Sequence, residues 1–125
     1  MNDKVNYLGI LHASVLVADV KRSLAFYQGV LGLELSPDRP DLSFPGAWLQ
    51  IGAQQIHLMQ LPNAEPVKER PEYGGRDRHT AIGVDDLDAV IDKLERGGVD
   101  FKRSSRGQRI FCRDPDGNAL EIVSC

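Results

Sequence analysis

The sequence predicts an α+β domain built from two βαβββ halves, and three observations predict it. Apolar runs of strand character alternate with two runs of helical spacing, and the order of these runs is the same in both halves. Landmark residues also recur at a near-constant offset: His12 as His79, Asp19 as Asp86 and Gly32 as Gly98. An internal duplication is the economical explanation. With 125 residues, of which 42% are hydrophobic, the chain can close one core and is too short for two ordinary ones, so residues 1–125 are expected to form a single domain.

The elements follow in order. Residues Leu8 to Ala18 read as a strand, Asp19 as a helix N-cap, and Val20, Leu24, Tyr27 and Leu31 as one face of a helix. Glycines between Gly29 and Gly32 stop that helix, and Leu33 to Leu35 is a short strand after it. Ala47 to Ile51 and Gln54 to Leu61, separated by Gly52 and Ala53, form a hairpin. The second half repeats the layout. It has a strand at Arg78 to Val84, a cap at Asp85 or Asp86, and a helix through Leu87, Val90, Ile91 and Leu94 with its stop at Gly97 and Gly98. A short strand at Val99 to Phe101 precedes strands Gln108 to Arg113 and Ala119 to Ser124, which are joined by the turn Asp114 to Asn118. Module one then spans about 5–61, a linker loop 62–77, and module two about 78–125. The loop carries Pro62, Pro66 and Pro71 with many charges, and its length suits a lid, a binding loop or a linker.

Composition excludes several classes of function. The 15 Lys plus Arg and 18 Asp plus Glu are dispersed, which argues against a nucleic-acid partner bound through a basic face. No apolar run is long enough to cross a bilayer, and the opening MNDKVNY lacks the layout of a secretion signal, so no membrane partner is expected. Two cysteines, Cys112 and Cys125, are too few for a disulfide framework, and reduced thiols in the cytoplasm are the plain expectation.

Strand side chains alternate between faces, so the parity of four strands can be checked independently. Val15 and Val17, Ile56 and Leu58, Ile82 and Val84, and Leu120 and Ile122 define an aliphatic face that should cover the helices. The opposite face then receives His12, His57, His79 and Glu121. All three histidines of the chain and one carboxylate therefore lie on the face away from the helices, at repeat-equivalent positions. Neutral nitrogen and anionic oxygen donors of this kind suit a divalent first-row metal: Zn, Ni, Co, Mn or Fe. Trp48 and Phe111, each in the third strand of its half, can line a pocket or pack in the core. Arg70, Arg76 and Arg78 can clamp an anionic group or face solvent.

His12 with Asp19 and SLAFY (Ser23 to Tyr27), HTAIGVDDLDAVIDKL (His79 to Leu94) and RDPDGNALEI (Arg113 to Ile122) together resemble the vicinal oxygen chelate superfamily. That superfamily includes glyoxalase I, bleomycin-resistance proteins, fosfomycin-resistance thiol transferases and extradiol dioxygenases. The resemblance covers nearly the whole chain. It implies paired βαβββ modules whose mixed sheets curl around a cleft with helices on the outer face, a homodimer, and metal ligands at His12, His57, His79 and Glu121.

The resemblance also implies a small-molecule substrate whose two neighbouring oxygens chelate the metal, which acts as a Lewis acid. The glyoxalase I pattern commonly has Glu where this chain has His57, so one candidate base is replaced by a neutral group. Glu121 can then serve as ligand and base, a metal-bound hydroxide can take the proton, or His57 can act as an acid or base beside the metal. A glyoxalase-type metal-dependent lyase or isomerase, acting on a small chelating carbonyl or hydroxy-carbonyl compound, is the favoured expectation. The alternatives are an Fe(II) extradiol-type dioxygenase using His12, His79 and Glu121, and a non-enzymatic protein that sequesters a bleomycin-type drug.

Overall fold

The computed structural model describes residues 4–65 and 67–125. The first three residues of the MNDKVNY opening and Pro66 of the long loop lie outside the described residues. Strands β1 (His12–Leu16), β2 (Glu34–Leu35), β3 (Gly46–Ile51) and β4 (Gln54–Met59) form one four-stranded sheet in the order β1-β4-β3-β2. Strands β5 (His79–Val84), β6 (Phe101–Arg103), β7 (Arg109–Arg113) and β8 (Ala119–Ser124) form the second in the equivalent order β5-β8-β7-β6. In each sheet the first strand runs parallel to the last and the other pairs are antiparallel. The two tandem βαβββ modules expected from the sequence are therefore present.

Helix α1 (Val20–Leu24) starts at Asp19, whose carboxylate accepts from the Lys21 N–H at 2.9 Å. It then widens into a π-helical segment, Ala25–Val30, that 3.6-residue spacing does not foresee. The wider turns bury the consecutive residues Phe26 and Tyr27, whose rings meet edge to face at 5.0 Å. Helix α2 (Leu87–Arg96) is capped by Asp86 instead of Asp85, with the carboxylate accepting from the Ala89 N–H at 3.1 Å. Leu87, Ile91 and Leu94 form its buried stripe.

Several strand boundaries differ from expectation, two of them for one shared reason. The Leu33 and Val99 N–H groups bond to the carbonyls of Tyr27 and Leu94, closing the preceding helices, so pairing starts later, at Glu34 and Phe101. In both places a glycine in the left-handed region, Gly32 (φ 77) or Gly98 (φ 68), turns the chain. The first strand spans His12–Leu16 only, because its neighbour β4 begins at Gln54 and offers no partner to the segment before Leu11.

The aliphatic faces of both sheets and the inner faces of both helical segments meet in one core, which includes Val17, Tyr27, Leu49, Ile56, Leu58, Leu94, Ile110, Leu120 and Ile122. Each such side chain contributes about 1.5–3 kcal/mol when fully buried. The expected hairpin turn at Asp114 to Asn118 also joins the modules. Asp116 accepts from the Ala18 N–H at 3.0 Å and from Arg22 at 2.7 Å, and Tyr27 donates to Asp114 at 2.7 Å. No helix among the described residues is long and apolar enough to cross a membrane.

Candidate metal centre

The internal repeat places the candidate residues by register. In the first sheet Ser14 pairs with His57, so His12 lies diagonally beside His57, and Trp48 on β3 pairs directly with His57 from the other side. In the second sheet Ala81 pairs with Glu121, His79 lies diagonally beside it, and Phe111 on β7 takes the place of Trp48. The two halves of the site are thus the same construction with different side chains.

In the first half, three rings form a stack. The His57 ring lies 3.8 Å from His12 at an interplanar angle of 14°, and 4.0 Å from Trp48 at 2°. His57 Nε2 lies 2.8 Å from Gln55 Oε1. The Gln55 amide nitrogen donates to Gln50 Oε1 at 3.0 Å and Ser36 Oγ at 3.3 Å, which fixes the amide's orientation. Its oxygen must therefore receive a proton from His57, leaving the lone pair of His57 on Nδ1; this tautomer is assigned from the network. Burial first, then the His12 and Arg39 charges, lowers the His57 pKa from its usual value, so the ring is neutral at pH 7.

In the second half, His79 Nδ1 donates to the Asp77 carbonyl at 2.9 Å, which turns Nε2 toward Glu121 Oε1 at 3.1 Å. A nitrogen and a carboxylate oxygen at that distance share a cation, either a proton on the ring or a metal ion. An imidazole anchored through its other nitrogen to a carbonyl is the usual form of a metal-ligating histidine. Arg109 donates to Glu121 Oε2 at 2.6 Å, so the two carboxylate oxygens have separate partners. The Asp77 side chain is itself clamped. Arg70 donates to both its oxygens at 2.9 and 2.6 Å, Arg113 at 2.8 Å and the Arg78 N–H at 2.8 Å. These bonds, Arg70's first, hold the Asp77 carboxyl well below the usual carboxylate range.

His57 and Glu121 are buried, at 8% and 7% exposure, whereas His12 and His79 are exposed and line one groove of about 420 Å³ with Gln54, Gln55 and Ala81. The structure thus forms two pairs, His12 with His57 and His79 with Glu121. Among the described residues no group of three or more His, Cys, Asp or Glu side chains comes together to hold a metal ion. The donor types of the pairs nevertheless fit a divalent transition ion, with two imidazoles in one and an imidazole beside a carboxylate in the other.

Trp48 and Phe111 lie on this site face, outside the core cluster, and Phe111 packs against Tyr73 and His79 at 4.8 and 5.8 Å. Of the loop arginines, Arg70 serves Asp77, while Arg78 is exposed, 3.8 Å from Glu65. Both cysteines are free, and burial first, then the Asp114 charge, pushes the Cys112 thiol up to about 12. Sequence reasoning missed Gln55, Asp77 and Arg109. Gln55 and Arg109 each sit two residues before a site residue, so strand parity contained the signal; Asp77 acts on His79 through a backbone carbonyl and carried none.

Known proteins are similar to this chain. The Arabidopsis thaliana protein named glyoxylase I 4 is 35% identical over 91% of this chain and 69% of its own length. The Haemophilus influenzae lactoylglutathione lyase is 31% identical over 91% of this chain and 90% of its own. Among solved structures, a Bacillus anthracis protein assigned to the glyoxalase family superposes with a TM-score of 0.78 at 26% identity, covering 99% of this chain and 98% of that one. The model of the Glyoxalase/Bleomycin resistance protein/Dioxygenase superfamily matches residues 9–122. With that match over most of its length, on the duplicated sheets and paired site just described, the chain belongs to the glyoxalase/bleomycin resistance protein/dioxygenase superfamily.

Proposed function

We propose that the protein is a glyoxalase-type metal-dependent lyase or isomerase. Its substrate class is a small α-oxygenated carbonyl compound or the thiol adduct of one, as the lactoylglutathione lyase relative's name suggests. The observation that carries this reading is the His79–Glu121 pair, in which an anchored imidazole presents Nε2 3.1 Å from the Oε1 of a buried carboxylate. His12, His57, His79 and Glu121 would hold a divalent ion (Zn, Ni, Co, Mn or Fe), which would supply Lewis acidity to two neighbouring oxygens of the substrate. The two pairs motivate a homodimer, in which each His12–His57 pair is completed by the His79–Glu121 pair of a second copy.

The chain's own groups divide the remaining work. Arg109 holds Glu121 through Oε2 and leaves Oε1 to face the site. Neutral His57, with its lone pair at Nδ1, and Glu121 at Oε1 are the groups able to take and return a proton as charge shifts between adjacent carbons. Trp48 and Phe111 wall the two half-sites and keep water from the proton being moved.

The test is a matched assay of Ni(II), Zn(II), Mn(II) and Fe(II) protein, with hemithioacetal isomerisation and catechol-dependent oxygen uptake run side by side. Isomerisation with one or more of these ions and no oxygen uptake is the expected result. Turnover confined to Fe(II) and requiring oxygen would replace the lyase by a dioxygenase. Silence in both assays, with tight binding of an apolar drug by metal-free protein, would replace it by sequestration.

A further inference from the structure

Beside the His79–Glu121 pair stands a guanidinium that is only partly used. Arg109 Nη1 donates to Glu121 Oε2 at 2.6 Å, while Glu121 Oε1 lies 3.1 Å from His79 Nε2, so a single carboxylate joins Arg109 to the site. Among the described residues this is the one bond that the Arg109 side chain makes. That side chain is 46% exposed, whereas the carboxylate it holds is buried. Holding Glu121 takes one N–H, and a guanidinium carries several more in a fixed fork. Its remaining donors are open to a ligand that reaches this face.

The surroundings favour an anion. On β7, Arg109, Phe111 and Arg113 alternate onto one face, and pairing with Phe111 puts Glu121 and Lys102 on it as well. From Phe101 to Arg113 the chain carries Lys102, Arg103, Arg106, Arg109 and Arg113 and no Asp or Glu. On the site face, Lys102 bonds to Glu72 and Arg113 to Asp77, so Arg109 is the cation whose partner belongs to the site itself. Arg103 and Arg106, both exposed, add positive potential at this end of the hairpin. The planar fork of a guanidinium matches the two oxygens of a carboxylate. A phosphate dianion would set two further charges against Glu121, a carboxylate only one.

We propose that Arg109 determines substrate specificity, its unused donors binding a carboxylate that the substrate carries next to its reacting carbonyl. The substrate class narrows to 2-oxo acids and their 2-hydroxy counterparts. In such a compound the carboxylate is one bond from the reacting carbon, as Arg109 is one carboxylate away from His79. One guanidinium then aligns both the substrate and Glu121.

The proposal rests on the reading of this face as a site for small carbonyl compounds, and the experiment separates the two. Dissociation constants for pyruvate, its neutral methyl ester and inorganic phosphate are measured by NMR titration of wild type and Arg109→Gln, each with Zn(II) and metal-free. The glutamine amide can still donate to Glu121 but lacks the charge and the fork. Wild type is expected to bind pyruvate at least about tenfold more tightly than the ester, with or without Zn(II), and more tightly than phosphate. In Arg109→Gln the ester should bind as in wild type, while the preference for pyruvate falls to about twofold or less. Equal binding of acid and ester by wild type, a comparison that needs no variant to fold, would overturn the proposal. So would a preference seen only with Zn(II), one that survives in Arg109→Gln, or phosphate binding more tightly than pyruvate. Loss of ester binding in Arg109→Gln would overturn it too, by showing that Arg109 serves Glu121 alone. Wild-type protein that binds neither pyruvate nor its ester would overturn the small-carbonyl reading, and the proposal with it.

Discussion

The carbonyl of Asp77 determines which nitrogen of His79 faces Glu121, and the side chain of Asp77 determines where that carbonyl sits. Asp77 is held by two guanidinium groups and one backbone N–H, and its carboxyl is depressed. A depressed carboxylate contributes stability that is fully present above its unfolded pKa, near 4, and is lost as pH falls toward its folded value. Asp77→Asn is therefore expected to melt below wild type at pH 7, with the gap closing as pH falls from about 4 toward 2. Thermal melts across that range check this, and a gap independent of pH would show that the ionised form is not what Arg70 and Arg113 hold. The same substitution should lower metal affinity, because a slackened loop no longer fixes the His79 ring.

Both helical segments pack on the shared core, but the first is also tied to the second module's hairpin turn. The Asp114 carboxylate accepts from the Tyr27 hydroxyl, from the Asn118 side chain and from the backbone N–H groups of Asp116 and Asn118. Tyr27 is fully buried and Asp114 nearly so. Tyr27→Phe removes one donor from a buried carboxylate and is expected to cost about 1–3 kcal/mol, read from urea unfolding; unchanged stability would mean that this bond does not fasten the modules. In the sequence Asp114 to Asn118 reads as a hairpin turn, which it is. The buried partners of its two aspartates come from residues almost a hundred positions away, and no local pattern announces them. Strand parity is a local property, and two contacts agree with it: His12 stacks on His57, and His79 meets Glu121. Strand ends were less legible, because Leu33 and Val99 spend their N–H groups on closing helices, a choice that apolar spacing does not record. The π-helical turn at Ala25–Val30 was likewise hidden, since its burial of Phe26 and Tyr27 together is set by the packing around them.

Across the whole molecule, the duplication visible as paired landmarks became a duplicated register: His12, His57 and Trp48 in one sheet stand where His79, Glu121 and Phe111 stand in the other. Fold and donor types were legible because both follow from periodicity and repeat. That the two pairs stay apart was not, because it depends on how the sheets are set against each other and not on the register within either. If the pairs are completed between copies, light scattering at micromolar concentration should give the mass of two chains, and dimer and metal should be lost together on dilution. A monomeric mass with metal still bound would place the whole site within one chain. The central claim, that these residues form a metal centre, is tested most directly by elemental analysis of wild-type and His79→Ala protein after loading with Zn(II) or Ni(II) and removal of free ion. The account predicts about one ion per wild-type chain and less than about a tenth of that in the variant; equal metal content in the two proteins would contradict it.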